Sequence, residues 1–377
     1  MKIAVVHGEV ASGAGRDEQD VLTQVDCVSR GLSALGHEPS AVPISLNLES
    51  AMRTLADLRP AMAFNLVETI AGKGCLIHIV PALLDALKIP YTGAATEAMM
   101  LTSNKILAKR WLTAAGLPTP TWLTVNKGDP RHGDKAISRM IPGQPAKGPY
   151  RPDLAGGGKA RRAVRTPGPD PPEAIAAWVV KSVWEHASVG LDEDSVLFGA
   201  NRERLMAEMN VRRESLGGEC FAEAYIEGRE FNLSLLASED LKGEPVSVGR
   251  GKSCPEVLPP AEIRFDTYPS GKVRVVGYRS KWDEDSFEFT HTPRSFDFPD
   301  RDDALLADLK DLALRCWELF DLRGYARVDF RVDGAGRPWI LEVNANPCLS
   351  PDAGFAAAAA RAGLPFTEVL NRIIGDR

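Results

Sequence analysis

The spacing of apolar side chains changes from segment to segment along this chain, and that spacing predicts the elements. Met1-Lys2-Ile3-Ala4-Val5-Val6-His7-Gly8 is a short apolar run ending in glycine and reads as a buried first strand. Over residues 21–35 the apolar positions Val21, Leu22, Val25, Val28, Leu32 and Leu35 form a helical stripe that Gly36 stops. A strand over 61–66, a helix over 81–87 and the exit Ile89-Pro90-Tyr91-Thr92-Gly93 complete an open Rossmann-like α/β unit over residues 1–93. A ligand belongs at the carboxyl ends of its strands. Further strands are expected at 175–183, 219–226 and 230–236, the last two in a sheet that roofs a ligand. An amphipathic helix spans 303–319, and the alanine-rich stretch 353–362 is helical by propensity.

The pattern carries chemistry at its C-terminal end. Val328, Phe330 and Val332 alternate with Arg327, Asp329 and Arg331, so the charged residues share one face of an extended segment. Gly334-Ala335-Gly336 turns the chain back, and Glu342 and Asn344 share a face by the same period of two. Hard oxygen ligands on both strands suit Mg²⁺ held against nucleotide phosphates. An amphipathic hairpin with a charged solvent face is the alternative reading of these residues by themselves.

Two other glycine patterns fail. Position 18, three after Gly15, is Glu18, which breaks a dinucleotide fingerprint. Gly156-Gly157-Gly158-Lys159 has Asp153 in place of the upstream glycine and Ala160 in place of the metal-binding hydroxyl, so it is no Walker loop. Nor does a Gly-x-Ser-x-Gly elbow support a serine hydrolase.

Composition narrows the partners. The formal charge of -6 argues against a basic nucleic-acid binder and favours a small-molecule substrate. Six scattered cysteines without a Cys-x-x-Cys pair give neither a zinc nor a disulfide framework, and the first apolar run is too short for a signal peptide or a membrane span. A cytoplasmic protein without a membrane or nucleic-acid partner is expected. Residues 126–172 hold eight glycines, nine prolines, ten Lys/Arg and four Asp/Glu, which leaves the rest of the chain at -12. This composition predicts a mobile basic insertion, either solvated or gripping an acidic partner or phosphate.

The hairpin resembles the metal-binding end of ATP-grasp ligases, specifically the branch of D-Ala-D-Ala ligase-like carboxylate-amine ligases, and the resemblance reaches most of the chain. It implies a mixed α/β and α+β fold: an N-terminal pre-ATP-grasp domain (1–93), a central subdomain (94–228) and a C-terminal subdomain (229–377), with nucleotide between the last two. The activity implied is ATP-dependent: a carboxylate takes the γ-phosphate, and an amine displaces phosphate from the acyl phosphate to form a peptide or amide bond. The implied cofactors are ATP with two Mg²⁺ ions, for which Mn²⁺ can substitute. The implied partners are amino acids or peptides, and a homodimer is the family's assembly.

Residue by residue, the match assigns Lys105, after Asn104, and Lys181, at the end of an apolar strand, to phosphate. Ser188 falls in the phosphate-covering loop. Glu223 matches the acceptor from the adenine amino group, Tyr225 and Ile226 its backbone edge, and Glu230, in Gly228-Arg229-Glu230-Phe231, the ribose hydroxyls. Asp329, Glu342 and Asn344 match the metal ligands, and Arg327 the anion clamp. Lys109 and Arg110 read as solvated helix charges.

At the substrate end the chain departs from the pattern. Ala187 stands where the ligases place a serine, and Trp282, after Lys281, where they place a tyrosine joined to an N-terminal glutamate. Asp17 or Glu18 is the acidic candidate, and aromatic packing of Trp282 is expected to replace the missing hydroxyls. Ser350 is the local donor for an acceptor carboxylate, and Asp352 is read as the cap of the alanine-rich helix. Glu68 could meet a substrate ammonium or be merely solvated, and His78 reads as a satisfied buried histidine. An ATP-grasp enzyme with a non-amine acceptor and a non-catalytic nucleotide binder are the rival functions.

Overall fold

The computed structural model describes residues 1–124, 175–238 and 254–376, and the insertion expected at 126–172 lies outside them. A first, parallel sheet holds β1 (Lys2–Gly8) between β2 (Glu38–Ile44) and β3 (Met62–Asn65), wound with α1 (Arg16–Ala34), α2 (Leu48–Leu58) and α3 (Ile79–Leu87). Ile3 and Val5 pack with Val28 and Leu32 of α1, whereas Ala4 and Val6 pack with Leu55 of α2 and Leu84 of α3. Burial on both faces is why β1 reads as an unbroken apolar run. Neither β2 nor α2 was expected: β2 carries Glu38, Pro39, Ser40 and Pro43 and lies at the sheet edge, where proline is tolerated.

Helices α4 (Thr96–Ser103) and α5 (Lys105–Ala114) follow, and the Asn104 side chain caps α5 by accepting from the amides of Ile106 and Leu107. Strands β4 (Trp122–Thr124), β5 (Ala177–Ser182) and β6 (Val196–Phe198), helix α6 (Arg202–Arg212) and β7 (Cys220–Ala224) build an antiparallel sheet in the order β4-β7-β5-β6. The chain continues through β8 (Gly228–Leu236), β9 (Glu256–Val257), β10 (Ala261–Ile263), α7 (Arg279–Trp282), α8 (Phe287–Thr290), β11 (Arg294–Ser295) and α9 (Asp303–Leu319). It ends through β12 (Tyr325–Asp333), β13 (Pro338–Asn344), α10 (Gly354–Arg361) and α11 (Phe366–Gly375). The third sheet runs β11-β10-β8-β12-β13, with β9 on β8. No helix among the described residues is long and apolar enough to cross a membrane.

The period of two decides what this third sheet presents. Phe231, Leu233 and Leu235 of β8 and Val328 and Phe330 of β12 face the core around Leu309, Leu312 and Cys316 of α9. Glu230 and Asn232 therefore share the opposite face with Arg327, Asp329 and Arg331, and the register sets Asn232 against Asp329 and Glu230 against Arg331. Strand β13 pairs Arg327 with Asn344 and Asp329 with Glu342; a bulge then passes to Phe330 with Ile340. That bulge lets Ile340 and Val343, three residues apart, both enter the core while Glu342 and Asn344 stay on the polar face.

Gly228 opens β8 at φ +148°, and a Cβ there would collide with the Val332 carbonyl oxygen. Gly228→Ala is expected to cost about 1–3 kcal/mol, read as a lower urea midpoint at unchanged slope. An unaltered midpoint would show that this backbone yields freely.

Candidate active site

The polar face of the third sheet looks into a cavity of about 460 Å³ whose other walls come from β5, β7 and the segments around residues 185–191 and 275–294. Asp329 lines it. The Arg327 guanidinium chelates this carboxylate, Nε to Oδ1 at 2.7 Å and Nη2 to Oδ2 at 2.8 Å. Asn232 donates to Oδ1 at 2.7 Å and Asn344 to Oδ2 at 3.2 Å. Burial raises the Asp329 carboxyl, and Arg327 opposes that rise. Burial also works on Glu342, but the ammonium groups of Lys105, Lys281 and Lys181 outweigh it and hold this carboxyl well below the ordinary range. The Lys105 ammonium lies 3.8 Å from Glu342 and donates to the Glu185 carbonyl at 2.7 Å. Burial depresses Lys105 and Lys281, and for Lys281 the Arg327 charge adds to the effect.

These residues fit a divalent metal. Asp329 and Glu342 face each other directly across the hairpin, and like charges so paired repel unless a cation lies between them. Asn344 spends its amide nitrogen on Asp329, which leaves the lone pairs of its oxygen for a cation. No cluster of three or more His, Cys, Asp or Glu among the described residues could hold a metal. The protein's share here is two carboxylates and an amide, a set that phosphate oxygens complete for Mg²⁺.

A second charged group lies at the other end of the cavity. Glu223 is buried between Lys181, at 2.9 Å from its Oε1, and Lys109. Against the desolvation that would raise it, these two ammonium groups hold Glu223 below the usual carboxylate range. Lys109, read from sequence as a solvated helix charge, is 1% exposed and also donates to Thr119 Oγ1 at 2.8 Å. The correction has a simple cause: a charge on the inner face of α5 survives burial because a carboxylate from β7 meets it, and helix periodicity shows nothing of β7. Arg110 is exposed, in line with its reading. The Tyr225 amide donates to the Ala177 carbonyl at 2.9 Å, so Tyr225 has only its carbonyl edge for a ligand, with the Ile226 amide beyond it. Glu230 forms a 2.7 Å ion pair with Arg331, which also donates to the Gly228 carbonyl at 3.2 Å. Asn232 and Arg331 had not been singled out as site residues. Arg331 lies on the same face of β12 as Arg327, a signal available in the sequence, whereas Asn232 becomes visible only through the strand register.

The stretch expected to cover phosphate turns through left-handed residues, Ala187 at φ +57° and Ser188 at φ +61°. The Ser188 hydroxyl donates a hydrogen bond to the Val276 carbonyl at 2.9 Å. Beside it His186 is pushed down to about 4 by burial and by Lys105, so its ring is neutral. The expectation that Trp282 would act by packing alone is corrected: its indole N–H donates to the Ala187 carbonyl at 3.2 Å. One turn earlier Tyr278 donates to Asp17 at 3.0 Å. An N–H and a hydroxyl from neighbouring positions thus tie α7, which carries Lys281 into the cavity, to the loop and to α1.

The remaining substrate candidates fall in two groups. Glu68 lines the cavity, accepts from Gln24 at 2.8 Å and is raised to about 7 by burial, so it is no merely solvated carboxylate. Asp17, Glu18 and Ser350 are absent from the cavity wall among the described residues. Asp17 serves Tyr278, Glu18 approaches the Gly72 turn, and Ser350 donates to Asp20 at 2.7 Å. Asp20, which had drawn no attention, also receives the Cys348 thiol at 3.0 Å and reaches the cavity. Asp352 does not cap α10: the N-cap residue is Ala353, and no side chain bonds there. His78 is half-buried with Nδ1 unpartnered, contrary to the satisfied histidine expected.

The nucleotide-sized cavity between two antiparallel sheets, with lysines and an arginine converging on an acidic hairpin, defines an ATP-dependent ligase of the ATP-grasp class. The chain belongs to the D-Ala-D-Ala ligase family, whose C-terminal model, D-ala D-ala ligase C-terminus, matches residues 176–375. The whole chain is similar to a D-alanine–D-alanine ligase of Moorella thermoacetica, 28% identical with 99% of this chain and 98% of that protein covered. An uncharacterised protein of Sinorhizobium fredii is 24% identical over 93% of this chain and 85% of its own length. Among solved structures, the D-alanine–D-alanine ligase of Bacillus anthracis complexed with ATP superposes with a TM-score of 0.65 at 20% identity, covering 100% of this chain and 96% of that one. The chain is thus an amide-bond-forming enzyme, and membership implies ATP and a divalent metal.

Two outcomes follow from this geometry. Tyr278→Phe is expected to lower kcat/KM about tenfold, the worth of one hydrogen bond to a carboxylate; unchanged kinetics would show that α7 is held without it. Glu68 has a folded-state pKa of about 7 against an ordinary 4.5, so the native state binds the extra proton between these values and stability falls as pH rises through them. In Glu68→Gln this decline should flatten in urea titrations taken across the interval, and a persisting slope would place the titration elsewhere.

Proposed function

We propose that this ligase joins two amino-acid-like substrates through an acyl phosphate, with its site residues in the following roles. The observation that carries the reading is the gathering of Lys105, Lys181, Lys281 and Arg327 around the opposed carboxylates Asp329 and Glu342 in one cavity. Lys105 and Lys181 take ATP phosphates, and the loop bearing Ser188 covers them. The base lies against Tyr225 and Ile226, with Glu223 fixed in the ionised state beneath it and Glu230 reaching the ribose. Asp329, Glu342 and Asn344 would hold two Mg²⁺ ions, for which Mn²⁺ would substitute, and bound ions would supply charge neutralisation at the phosphates.

The donor's carboxylate oxygen attacks the γ-phosphorus, the bond to the bridging oxygen breaks, and ADP leaves. The acceptor's amine nitrogen then attacks the acyl carbon, loses a proton, and expels inorganic phosphate. Arg327 is raised further above its usual range because Asp329 outweighs its burial, so it stays positive while the tetrahedral oxyanion forms. Lys281 adds a second cation at the same point. Asp20, together with Glu68 in its ionised form, gives the opposite wall an acidic character that suits the donor's ammonium. Exclusion of water protects the acyl phosphate from hydrolysis. The reading does not assign D-alanine, because Ala187, Trp282 and Cys348 alter the walls that meet the substrates.

ADP release over single amino acids and pairs, with mass detection of the product, tests the reading: amine-dependent condensation is expected, and ATP turnover without any amide product would refute it. Arg327→Ala should lower kcat by about 10³-fold while KM for ATP stays within about tenfold. Turnover close to that of the unaltered protein would remove Arg327 from the chemistry.

A further inference from the structure

We propose that Arg294 is a specificity-determining residue that receives the carboxylate of the acceptor substrate, an inference that rests on the amino-acid reading above. Arg294 lies on β11, where it pairs with Ile263 of β10, and its side chain lines the cavity beside the start of α10. Gly354 marks the meeting point of two guanidinium groups: a Cβ built there would lie 3.8 Å from Arg294 Nε and 4.0 Å from Arg327 Nη1. The other two arginines of the cavity are neutralised, Arg327 by Asp329 and Arg331 by Glu230. Arg294 has no carboxylate ion pair among the described residues and donates only to the Asp352 backbone carbonyl, at 3.4 Å.

Electrostatics agree with this geometry. Arg294 as a whole is exposed, but partial burial of its guanidinium lowers its pKa, Arg327 lowers it further by repulsion, and the attraction of Asp352 only partly compensates. An anion seated between the two arginines relieves that repulsion. The serine expected to receive such an anion is unavailable, since Ser350 is 1% exposed and bonded to Asp20.

The nucleotide is a poor candidate for this position. The side chains whose charges act on Arg294 are Arg327 and Asp352, and none of the lysines assigned to phosphate is among them. An acceptor amine attacking the acyl carbon beside Arg327 carries its carboxyl carbon two bonds from the nitrogen, if it is an α-amino acid. The next cation outward from Arg327 is Arg294. A planar guanidinium matches a carboxylate with two parallel donors, so this residue selects acceptors with a free acid group.

The test uses the full-length protein with ATP and Mg²⁺. Alanine, glutamate and phenylalanine, in both enantiomers, are offered as free acids and as carboxamides, and ADP release and amide product are followed. The unaltered protein should prefer the free acid. Arg294→Ala should raise KM for the free acid about 10- to 100-fold, while KM for the carboxamide and for ATP stay within about twofold. Arg294→Lys, which keeps the charge and loses the fork, should retain part of the preference, and Arg294→Gln carries the same comparison if the alanine variant does not fold. An acid-to-carboxamide ratio identical in the unaltered protein and in these variants would overturn the proposal alone. Failure of every amine in the panel to give product would overturn the amino-acid reading and this proposal with it.

Discussion

Two carboxylates held face to face across one antiparallel ladder constrain everything around them. Side chains directly opposite each other lie roughly 4.5–5.5 Å apart at Cβ, and in a low-dielectric cavity two negative charges at that spacing cannot both persist without cations. Asp329 and Glu342 meet this condition with Arg327 chelating the first and Lys105 and Lys281 acting on the second. The bulge after Asp329 fixes the register of the opposition. A one-residue slip would turn the carboxylates of one strand into the α9 core and its apolar residues into the cavity. The apolar packing of β12 on α9 and the placement of the cavity's carboxylates are therefore one specification.

From that centre, charge is graded along the cavity. Glu223, fully buried, is neutralised by Lys109 on one side and shares Lys181 with the cavity on the other. Lys181 is consequently held ionised where burial alone would depress it. At the opposite end the cations give way to Glu68 and Asp20, where burial lifts the Glu68 carboxyl toward neutrality. The cations in the middle of this gradient match the phosphates of the proposed nucleotide. In the proposed reaction an ammonium group would meet Asp20 and the ionised form of Glu68 at the acidic end, away from the cations.

The hairpin was legible because alternation with period two is a local property, visible in Arg327, Asp329 and Arg331 without knowledge of any neighbour. The same holds for α9, whose periodic stripe gave its bounds, Asp303–Leu319, directly. What remained hidden depended on contacts distant in sequence. Lys109 is indistinguishable from a surface lysine until Glu223, 114 positions later, is brought against it. Ser350 looks like a free hydroxyl near an acceptor site until α1 delivers Asp20, 330 residues away, to accept its hydrogen bond. Asn232 requires the pairing of β8 with β12. Asp352 carried a strong local capping signal, yet the chain enters α10 one residue later and the side chain is left for the electrostatics around Arg294.

The departures at α7 show how a bracing contact can move without being lost. A tyrosine hydroxyl can donate one hydrogen bond, so replacing it by an indole transfers the donation to Nε1 and extends its reach. Trp282 uses that N–H on the Ala187 backbone carbonyl, an acceptor every residue supplies, so the loop no longer needs a serine at 187. The connection to the N-terminal segment then has to come from another donor, and a helical turn places Tyr278 and Trp282 four residues apart on the same side, with ring centroids at 6.5 Å. Tyr278 reaches Asp17 from there. Two side chains divide between them the donations that the resemblance had led one to seek at a single position, and Lys281, between them in sequence, is held from both ends.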